Sequence, residues 1–182
     1  MNRLSTSPIW SLYVDGSCLG NQNVDAKTPA AWALVVVKGD SGLGRGSGEI
    51  VEETSGRVIT DPEEDGFIGA EVGSNNTAEL CGFAAALRWL LVEGGDEAAV
   101  VRADSQYAGN LASGAWKAKA NKELVHQVQR LWREVVSLRP LTWAHVKAHR
   151  GHRWNERADH LALRCAQGEQ PEPLTFWKPG QR

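Results

Sequence analysis

With 182 residues, the chain has the length of one domain of ordinary size, long enough to bury a full core. Hydrophobic residues make up 42% of the sequence and charged residues 23%, which excludes a disordered or fibrous protein. The formal net charge of −2 excludes a uniformly basic nucleic-acid binder, so a polyanion would have to bind a local cationic patch.

The three cysteines, Cys18, Cys81 and Cys165, are far apart and form no C-x-x-C pair. This pattern favours free thiols in a reducing compartment over a disulfide framework or a zinc ribbon. Residues 1–9 lack the apolar centre of a signal peptide, and no apolar run approaches the ~20 residues of a membrane span. We therefore expect a cytoplasmic protein with no membrane segment. No obligate protein partner is evident, so we expect a monomer.

Strands are predicted in the first part of the chain. Alternating apolar residues predict a strand over 9–14, and the valine-rich segment 30–37 predicts a second. Residues 46–73 are acidic and less regular, and we interpret most of this interval as a solvated excursion. Short strands are predicted within it at 49–53, 57–60 and 67–72.

Helices and strands alternate in the rest of the chain. Helices are predicted at 76–92, 105–113, 123–138 and 154–167. Strands are predicted at 98–103 and 141–148. This order is typical of an α/β layered domain with a mixed sheet. We divide the chain into an N-terminal extension (1–8), one catalytic domain (9–167) and an irregular tail (168–182).

Four carboxylates occupy similar positions along these elements. Asp15 ends the first predicted strand, and Asp104 ends the buried one. Glu79 lies in the first turn of a predicted helix, and Asp159 lies early in the last helix. Strand ends and helix starts of an α/β fold converge on one crevice, where four acids would repel each other unless cations shared it. Oxygen ligands favour Mg²⁺ or Mn²⁺ over zinc, and two such ions about 4 Å apart commonly cleave phosphodiesters.

Each acid also has a purely structural interpretation. Asp15 could begin a hairpin turn, and Glu79 could be a capping-box acid. Asp104 could cap the helix that follows it, and Asp159 could be a solvated helix residue paired with Arg157 or Arg153. These interpretations explain each acid alone but not why all four coincide with strand ends and helix starts.

Among the five histidines, His149 is the candidate for catalysis. It lies on a glycine-containing loop before the last predicted helix, where it could shuttle a proton or assist product departure near neutral pH. His145, His149 and His152 could form a metal cluster, but no set of Cys or acids at zinc spacing accompanies them. We favour a structural, loop-bonding role for His152 and a helix-surface or packing role for His126 and His160.

Four separated blocks carry these acids and the histidine. They are Val-Asp-Gly-Ser-Cys-Leu-Gly-Asn at 14–21, Asn-Asn-Thr-Ala-Glu-Leu at 75–80, Ala-Asp-Ser-Gln-Tyr at 103–107, and Val-Lys-Ala-His-Arg-Gly-His at 146–152 followed by Asn-Glu-Arg-Ala-Asp at 155–159. In this order they resemble type 1 ribonuclease H. The resemblance implies a ribonuclease H-like fold, a five-stranded mixed sheet flanked by helices on both faces. It also implies metal-dependent endonucleolytic cleavage of the RNA strand of RNA–DNA hybrids.

The resemblance assigns roles by motif position. Asp15, Glu79, Asp104 and Asp159 match the carboxylates that hold two Mg²⁺ ions, for which Mn²⁺ could substitute, and His149 matches the assisting histidine. The remaining matches concern the nucleic acid. They are the backbone of Gly16, Ser17 and Cys18 beside the RNA strand, and Asn76, Gln106 and, in the same block, Asn75 in the minor groove.

A second binding track is predicted from the residues themselves. Trp116 could lie against a deoxyribose of the DNA strand, flanked by Lys117 and Lys119 as phosphate-binding cations. The alternative for Trp116 is a plain core residue. The linker 116–122 is much shorter than the basic protrusion of some family members, so affinity is either lower or supplied by Arg150, Arg153 and the tail.

Three other interpretations remain open at this point. The chain could be an integrase or junction resolvase of the same fold, although the minor-groove Asn and Gln favour a hybrid nuclease. It could be a ribonuclease H domain of retroelement origin, although the start at Met1 and the short tail favour a free-standing enzyme without an additional N-terminal hybrid-binding module. It could be a non-catalytic hybrid-binding module, although a pure binder gains nothing from four acids beside phosphates.

Overall fold

A computed structural model describes residues 8–182 of the protein. The predicted N-terminal extension therefore lies, except for Pro8, outside the described residues. Within 8–182, five strands and four helices follow one another along the chain. They are β1 (Trp10–Cys18), β2 (Ala30–Lys38), β3 (Glu49–Arg57), α1 (Asn75–Val92), β4 (Ala99–Ala103), α2 (Gln106–Ala112), α3 (Lys122–Val136), β5 (Leu141–His145) and α4 (Arg153–Gln167).

The five strands form one mixed sheet in the order β3-β2-β1-β4-β5. The pairs β1–β2 and β2–β3 are antiparallel, as hairpin connections allow, whereas β1–β4 and β4–β5 are parallel and need helical crossovers. The predicted five-stranded mixed sheet is therefore confirmed. The centre of the sheet is β1, which pairs with β2 on one side and β4 on the other.

Helices cover both faces of the sheet, as the resemblance implies. Alternate residues of β1 point to opposite faces. Leu12 and Val14 pack into the larger core beneath α1, α2 and α3, whereas Tyr13 packs into the smaller core beneath α4. Burial of these apolar side chains is the main stabilising contribution to both layers. The two cores fix α1 and α4 against the same central strand from opposite sides.

Strand β3 differs from the prediction. Two short strands were expected around Thr54-Ser55-Gly56, but one strand runs through these residues and pairs with β2. The prediction was wrong because a run of small and polar residues is typical of a turn. At a sheet edge, however, such side chains can face solvent while the backbone stays paired. Gly56 has a packing reason, since a Cβ there would lie 2.7 Å from the indole of Trp32.

Other boundaries also differ. Residues 58–60 and 67–72 form no strand, and β5 ends at His145 rather than at residue 148. The tail, residues 168–182, contains neither helix nor strand, as predicted, and packs along α4. No helix within residues 8–182 is long and apolar enough to cross a membrane.

Candidate active site

Asp15 lies inside β1 rather than at its end. The expected break at Gly16-Ser17 is absent, because both residues continue the antiparallel pairing with β2. The hairpin interpretation of Asp15 is therefore wrong. The parallel partner β4, however, stops at Ala103, opposite Val14. Asp15 is thus held on a paired strand just beyond the end of β4, and its side chain is only 3% exposed.

Glu79 reaches Asp15 from the second turn of α1. The helix begins at Asn75, and its capping box is formed by Ser74 and Thr77, so both the first-turn position and the capping role predicted for Glu79 are wrong. A Cβ on Gly16 would lie 2.6 Å from the backbone nitrogen of Glu79. Only glycine permits so close an approach of a strand to a helix, and this approach brings the two carboxylates together.

Asp104 directly follows β4, as predicted. It does not cap α2, because the Ser105 hydroxyl accepts the bond from the Ala108 amide at 3.0 Å. Asp159 lies in the second turn of α4, and its carboxylate accepts two bonds from the guanidinium of Arg182. The predicted pairing of Asp159 with Arg157 is wrong, since Arg157 binds Glu53 instead.

The four acids Asp15, Glu79, Asp104 and Asp159 line one open cleft of about 460 Å³, which we call the acidic cleft. Carboxylate oxygens of Asp15, Glu79 and Asp104 lie within 4.8 Å of one another. The structure therefore brings together the four acids that the sequence pattern singled out. Further residues of the cleft wall are Gly16, Ser17, Cys18, Asn75, Asn76, Ser105, His149, Leu163 and Arg182.

Burial and mutual repulsion raise the pKa values of three of these acids, Asp15, Glu79 and Asp104. Burial raises the pKa of Asp15 well above its usual value, and the charges of Glu79 and Asp104 raise it further. Burial also raises the pKa of Glu79 to about 8, although hydrogen bonds from Asp15 and the Gly16 backbone oppose the rise. The pKa of Asp104 is raised by burial and by Asp159. Divalent cations would relieve this repulsion.

The donor set suits a hard divalent cation. Its atoms are all carboxylate oxygens, and the buried Oε2 of Glu79 has no hydrogen-bond partner among the residues that the structure describes. An unpaired buried oxygen costs free energy unless another group binds it. The cleft therefore has the ligand chemistry of a magnesium or manganese site.

His149 lines the acidic cleft on an exposed loop between β5 and α4. Its backbone is left-handed, with φ of 54°. The end of this loop is fixed, because the Gly151 amide donates to the Glu156 carboxylate at 3.3 Å and the Arg153 amide donates to the Gly44 carbonyl at 3.1 Å. The fold thus presents the imidazole at the cleft edge from an anchored loop.

The other histidines have separate surroundings. His145 lies with Nε2 3.2 Å from the Asp104 carbonyl oxygen, whereas the ring of His152 packs against Tyr13 at 5.3 Å between centroids. Within residues 8–182, the histidines form no common metal cluster. The ring of His152 packs as a structural residue, but its side chain does not cap α4, and its buried Nδ1 has no hydrogen-bond partner among the described residues. His160 is a fully buried packing residue.

The predicted nucleic-acid contacts fall into two places. Gly16, Ser17, Cys18, Asn75 and Asn76 line the acidic cleft itself. The exposed Gln106 begins α2, two residues after Asp104, without lining the cleft. The sequence pattern thus places short polar groups and slim backbone beside the acids.

The predicted DNA track forms a separate surface. Trp116 is 49% exposed, so its interpretation as a plain core residue is wrong. Lys117 and Lys119 lie beside it along a largely apolar groove. Sequence reasoning missed Trp132 and Arg133 of α3, which line the adjoining cavity with Trp116 and Lys117. We call the surface formed by Trp116, Lys117, Lys119, Trp132 and Arg133 the cationic groove.

Arg182 was also missed in the acidic cleft. The one signal in the sequence was the apolar group Leu174, Phe176 and Trp177, which indicates that the tail could fold back onto the domain. Nothing in the sequence indicates which cation such a fold would bring to Asp159.

Comparisons with known proteins agree with this geometry. The family model RNase H matches residues 8–167. The ribonuclease H of Aeromonas salmonicida is 32% identical over 180 residues, covering 92% of this chain and 96% of that protein. The ribonuclease H of Anaplasma marginale is 32% identical over 162 residues, covering 84% of this chain and 86% of that protein.

Solved structures show the same likeness. RNase H1 from the halophilic archaeon Halobacterium salinarum superimposes with a TM-score of 0.63 at 27% identity, covering 87% of this chain and 98% of that one. An N-terminal RNase H domain from Mycobacterium tuberculosis superimposes with a TM-score of 0.63 at 26% identity, covering 89% of this chain and 96% of that one.

Proposed function

The chain belongs to the ribonuclease H family, enzymes that hydrolyse the RNA strand of RNA–DNA hybrids, and we propose that it does so with two divalent cations held by the four acids. The observation that carries this proposal is the convergence of carboxylate oxygens from Asp15, Glu79 and Asp104 within 4.8 Å. We propose Mg²⁺ as the natural cation and Mn²⁺ as its substitute, because every donor is a hard oxygen.

The cations and the protein have different tasks in this chemistry. Bound divalent ions supply activation of the attacking water and stabilisation of charge at the phosphate. The chain supplies position: the antiparallel pairing of β1 with β2 continues through Asp15 and Gly16, and the Asp15 carboxylate accepts a bond from the Gly16 amide at 2.9 Å. Such rigidity keeps the reacting groups aligned, which is a large part of catalytic power.

His149 is proposed to transfer a proton to the departing oxygen. Three features support this role: its place on the wall of the acidic cleft, its exposure to water, and the anchored end of its loop. An imidazole can act as a general acid, and an exposed side chain is free to turn away from the phosphate after the transfer. We therefore expect His149 to assist turnover without being indispensable.

Recognition of the hybrid is proposed to use both surfaces. RNA is distinguished by its 2′-hydroxyls, which a wide, shallow minor groove presents to short polar side chains. Asn75, Asn76 and Gln106 provide such side chains, and the backbone of residues 16–18 can approach the strand closely. The cationic groove, with an exposed indole and two lysines along one wall, suits the sugar and phosphates of the DNA strand.

The competing interpretations are weaker. The family match favours a hybrid nuclease over an integrase or resolvase. The buried acids favour an enzyme over a non-catalytic binder, because burial makes their negative charge costly without cations. We also propose that the protein acts as a monomer in the cytoplasm. The proposed location is supported by Cys18, Cys81 and Cys165, which are free thiols in the part of the chain that the structure describes, as is usual in a reducing compartment.

A cleavage assay with a labelled RNA–DNA hybrid tests the function. Duplex RNA and duplex DNA are the substrate controls, and EDTA removes the metal. We expect Mg²⁺- or Mn²⁺-dependent cuts in the RNA strand of the hybrid alone. Asp104→Asn should abolish cutting while hybrid binding persists, and Asp96→Asn, which changes an exposed acid outside the cleft, should cut normally. Equal cleavage of duplex DNA, or full activity of Asp104→Asn, would overturn the assignment.

A further inference from the structure

One tryptophan packs the tail against α4. Trp177 is only 2% exposed, although it lies in a segment with neither helix nor strand. Its ring lies 5.6 Å from the guanidinium carbon of Arg153 and 5.4 Å from that of Arg157. Two cation–π contacts and deep burial make this residue the principal anchor of the tail.

A second anchor lies earlier in the tail. The Glu172 amide donates to Nε2 of His160 at 2.9 Å, and the Glu172 carbonyl accepts from Arg157 at 2.8 Å. Both partners are buried residues of α4. After Trp177, the chain turns back, because the indole N–H donates to the Gln181 carbonyl at 3.0 Å. These bonds direct the tail towards the acidic cleft.

Arg182 binds Asp159 at the end of this path. Its Nε and a terminal nitrogen donate to different oxygens of the Asp159 carboxylate at 2.9 and 3.1 Å. The side chain of Asp159 is 13% exposed and that of Arg182 is 54% exposed. Among the described residues that line the acidic cleft, Arg182 is the one arginine or lysine. The guanidinium therefore occupies both oxygens of one of the four acids.

A guanidinium and a metal ion cannot both use these oxygens in this geometry. The fork of an arginine matches the two oxygens of a carboxylate, and its positive charge repels a divalent cation nearby. We propose that Arg182 is a tethered cation that competes with a divalent metal ion for Asp159. The anchors at Trp177 and Glu172 make the competition intramolecular, so dilution of the protein does not weaken it. This inference rests on the metal site of the proposed function.

Calorimetric titration of Mn²⁺ into the substrate-free protein tests the competition. The proteins are the wild type, Arg182→Ala and a matched control, Lys178→Ala, which removes one positive charge from an exposed position of the same tail. We expect Arg182→Ala to bind Mn²⁺ about twofold to fivefold more tightly than the wild type, the range of a partly exposed ion pair. Lys178→Ala should match the wild type.

Two outcomes overturn the competition alone. One is equal Mn²⁺ affinity of the wild type and Arg182→Ala. The other is equal tightening by Lys178→Ala, because net charge would then explain the effect. If Mn²⁺ binds none of the three proteins, the metal site and the proposed function are overturned together with the competition. The titration therefore tests competition between Arg182 and the metal ion separately from RNA cleavage, since it contains no nucleic acid.

A spectroscopic test observes the displaced group directly. The Nε–H of Arg182 donates to Asp159 and should give a distinct ¹H–¹⁵N signal, identified by its loss in Arg182→Lys. Addition of Mg²⁺ should move this signal towards the position of a solvated arginine. A signal that stays unchanged while Mg²⁺ saturates the site would overturn the proposal.

Discussion

The acidic cleft and the cationic groove differ in how firmly the fold holds their side chains. Asp15 and Glu79 are buried, and they project from a central strand and from a helix packed against it. Trp116, Lys117 and Lys119 are exposed on the linker before α3. Catalysis depends on exact placement of charge, whereas phosphate binding tolerates movement of a long cationic side chain. Changes in the cleft should therefore affect rate steeply, and changes in the groove should affect binding gradually.

The largest expected effect is that of Asp15→Asn. It should lower the rate of hybrid cleavage by at least about a hundredfold, because loss of a residue that only supports a metal ligand already costs about tenfold to a hundredfold. Hybrid binding should persist, since the groove is untouched. Single-turnover cleavage and binding measured on the same hybrid separate the two effects. Parallel losses of binding and rate would contradict the division of labour between cleft and groove.

His149→Ala should have the next largest effect. We expect a rate about a hundredfold lower, the low end for loss of a general acid or base, with little change in hybrid affinity. Arg150→Ala, a change at the neighbouring exposed residue of the same loop, is the control for general disturbance of the loop. A wild-type rate in His149→Ala would remove the proposed proton-transfer role.

The sequence predicted which acids line the cleft better than it predicted their positions within the strands and helices. All four acids were found because each lies at a recognisable break or start in the hydrophobic pattern. The positions of Asp15 within β1 and Glu79 in the second turn of α1 were missed. They depend on the close contact at Gly16, which is a property of packing between elements distant in sequence.

The tail shows a second kind of limit. Its course depends on the burial of Trp177 against α4 and on the bond from Glu172 to His160, which no local pattern specifies. Strand β3 shows a third, because backbone pairing at a sheet edge places few demands on side chains. Sequence patterns therefore identified the chemistry and the order of elements, and tertiary contacts decided the rest.

The crowding of acids also predicts a pH dependence of stability without metal. The pKa of Glu79 is raised to about 8 in the folded protein, mainly by burial, against an ordinary value of 4.5. Between these values the folded state binds more protons than the unfolded state, so stability falls as pH rises. In EDTA, we expect the melting temperature of the wild type to drop between pH 5 and pH 8 by about 5 °C more than that of Glu79→Gln. This difference corresponds to about 2 kcal/mol in the free energy of unfolding.

Two controls sharpen this measurement. Glu93→Gln, a change at an exposed acid at the end of α1, should keep the wild-type pH trend. Saturating Mg²⁺ should flatten the trend of the wild type, since bound cations offset the repulsion. The explanation is wrong if Glu79→Gln retains the full pH trend of the wild type in EDTA.

The smallest expected effects lie in the cationic groove. Lys117→Ala and Lys119→Ala, made in the inactive Asp104→Asn protein, should each weaken hybrid binding severalfold. Each should also lower the slope of log K against log salt by about 1, because each would remove one of the proposed phosphate contacts. Lys38→Ala, at the end of β2 where its ammonium lies 5.7 Å from the Trp10 ring centroid, is the charge-matched control and should leave the slope unchanged. An unchanged slope in both groove variants would separate the groove from the binding surface, and the hybrid would then be held by the cleft side alone.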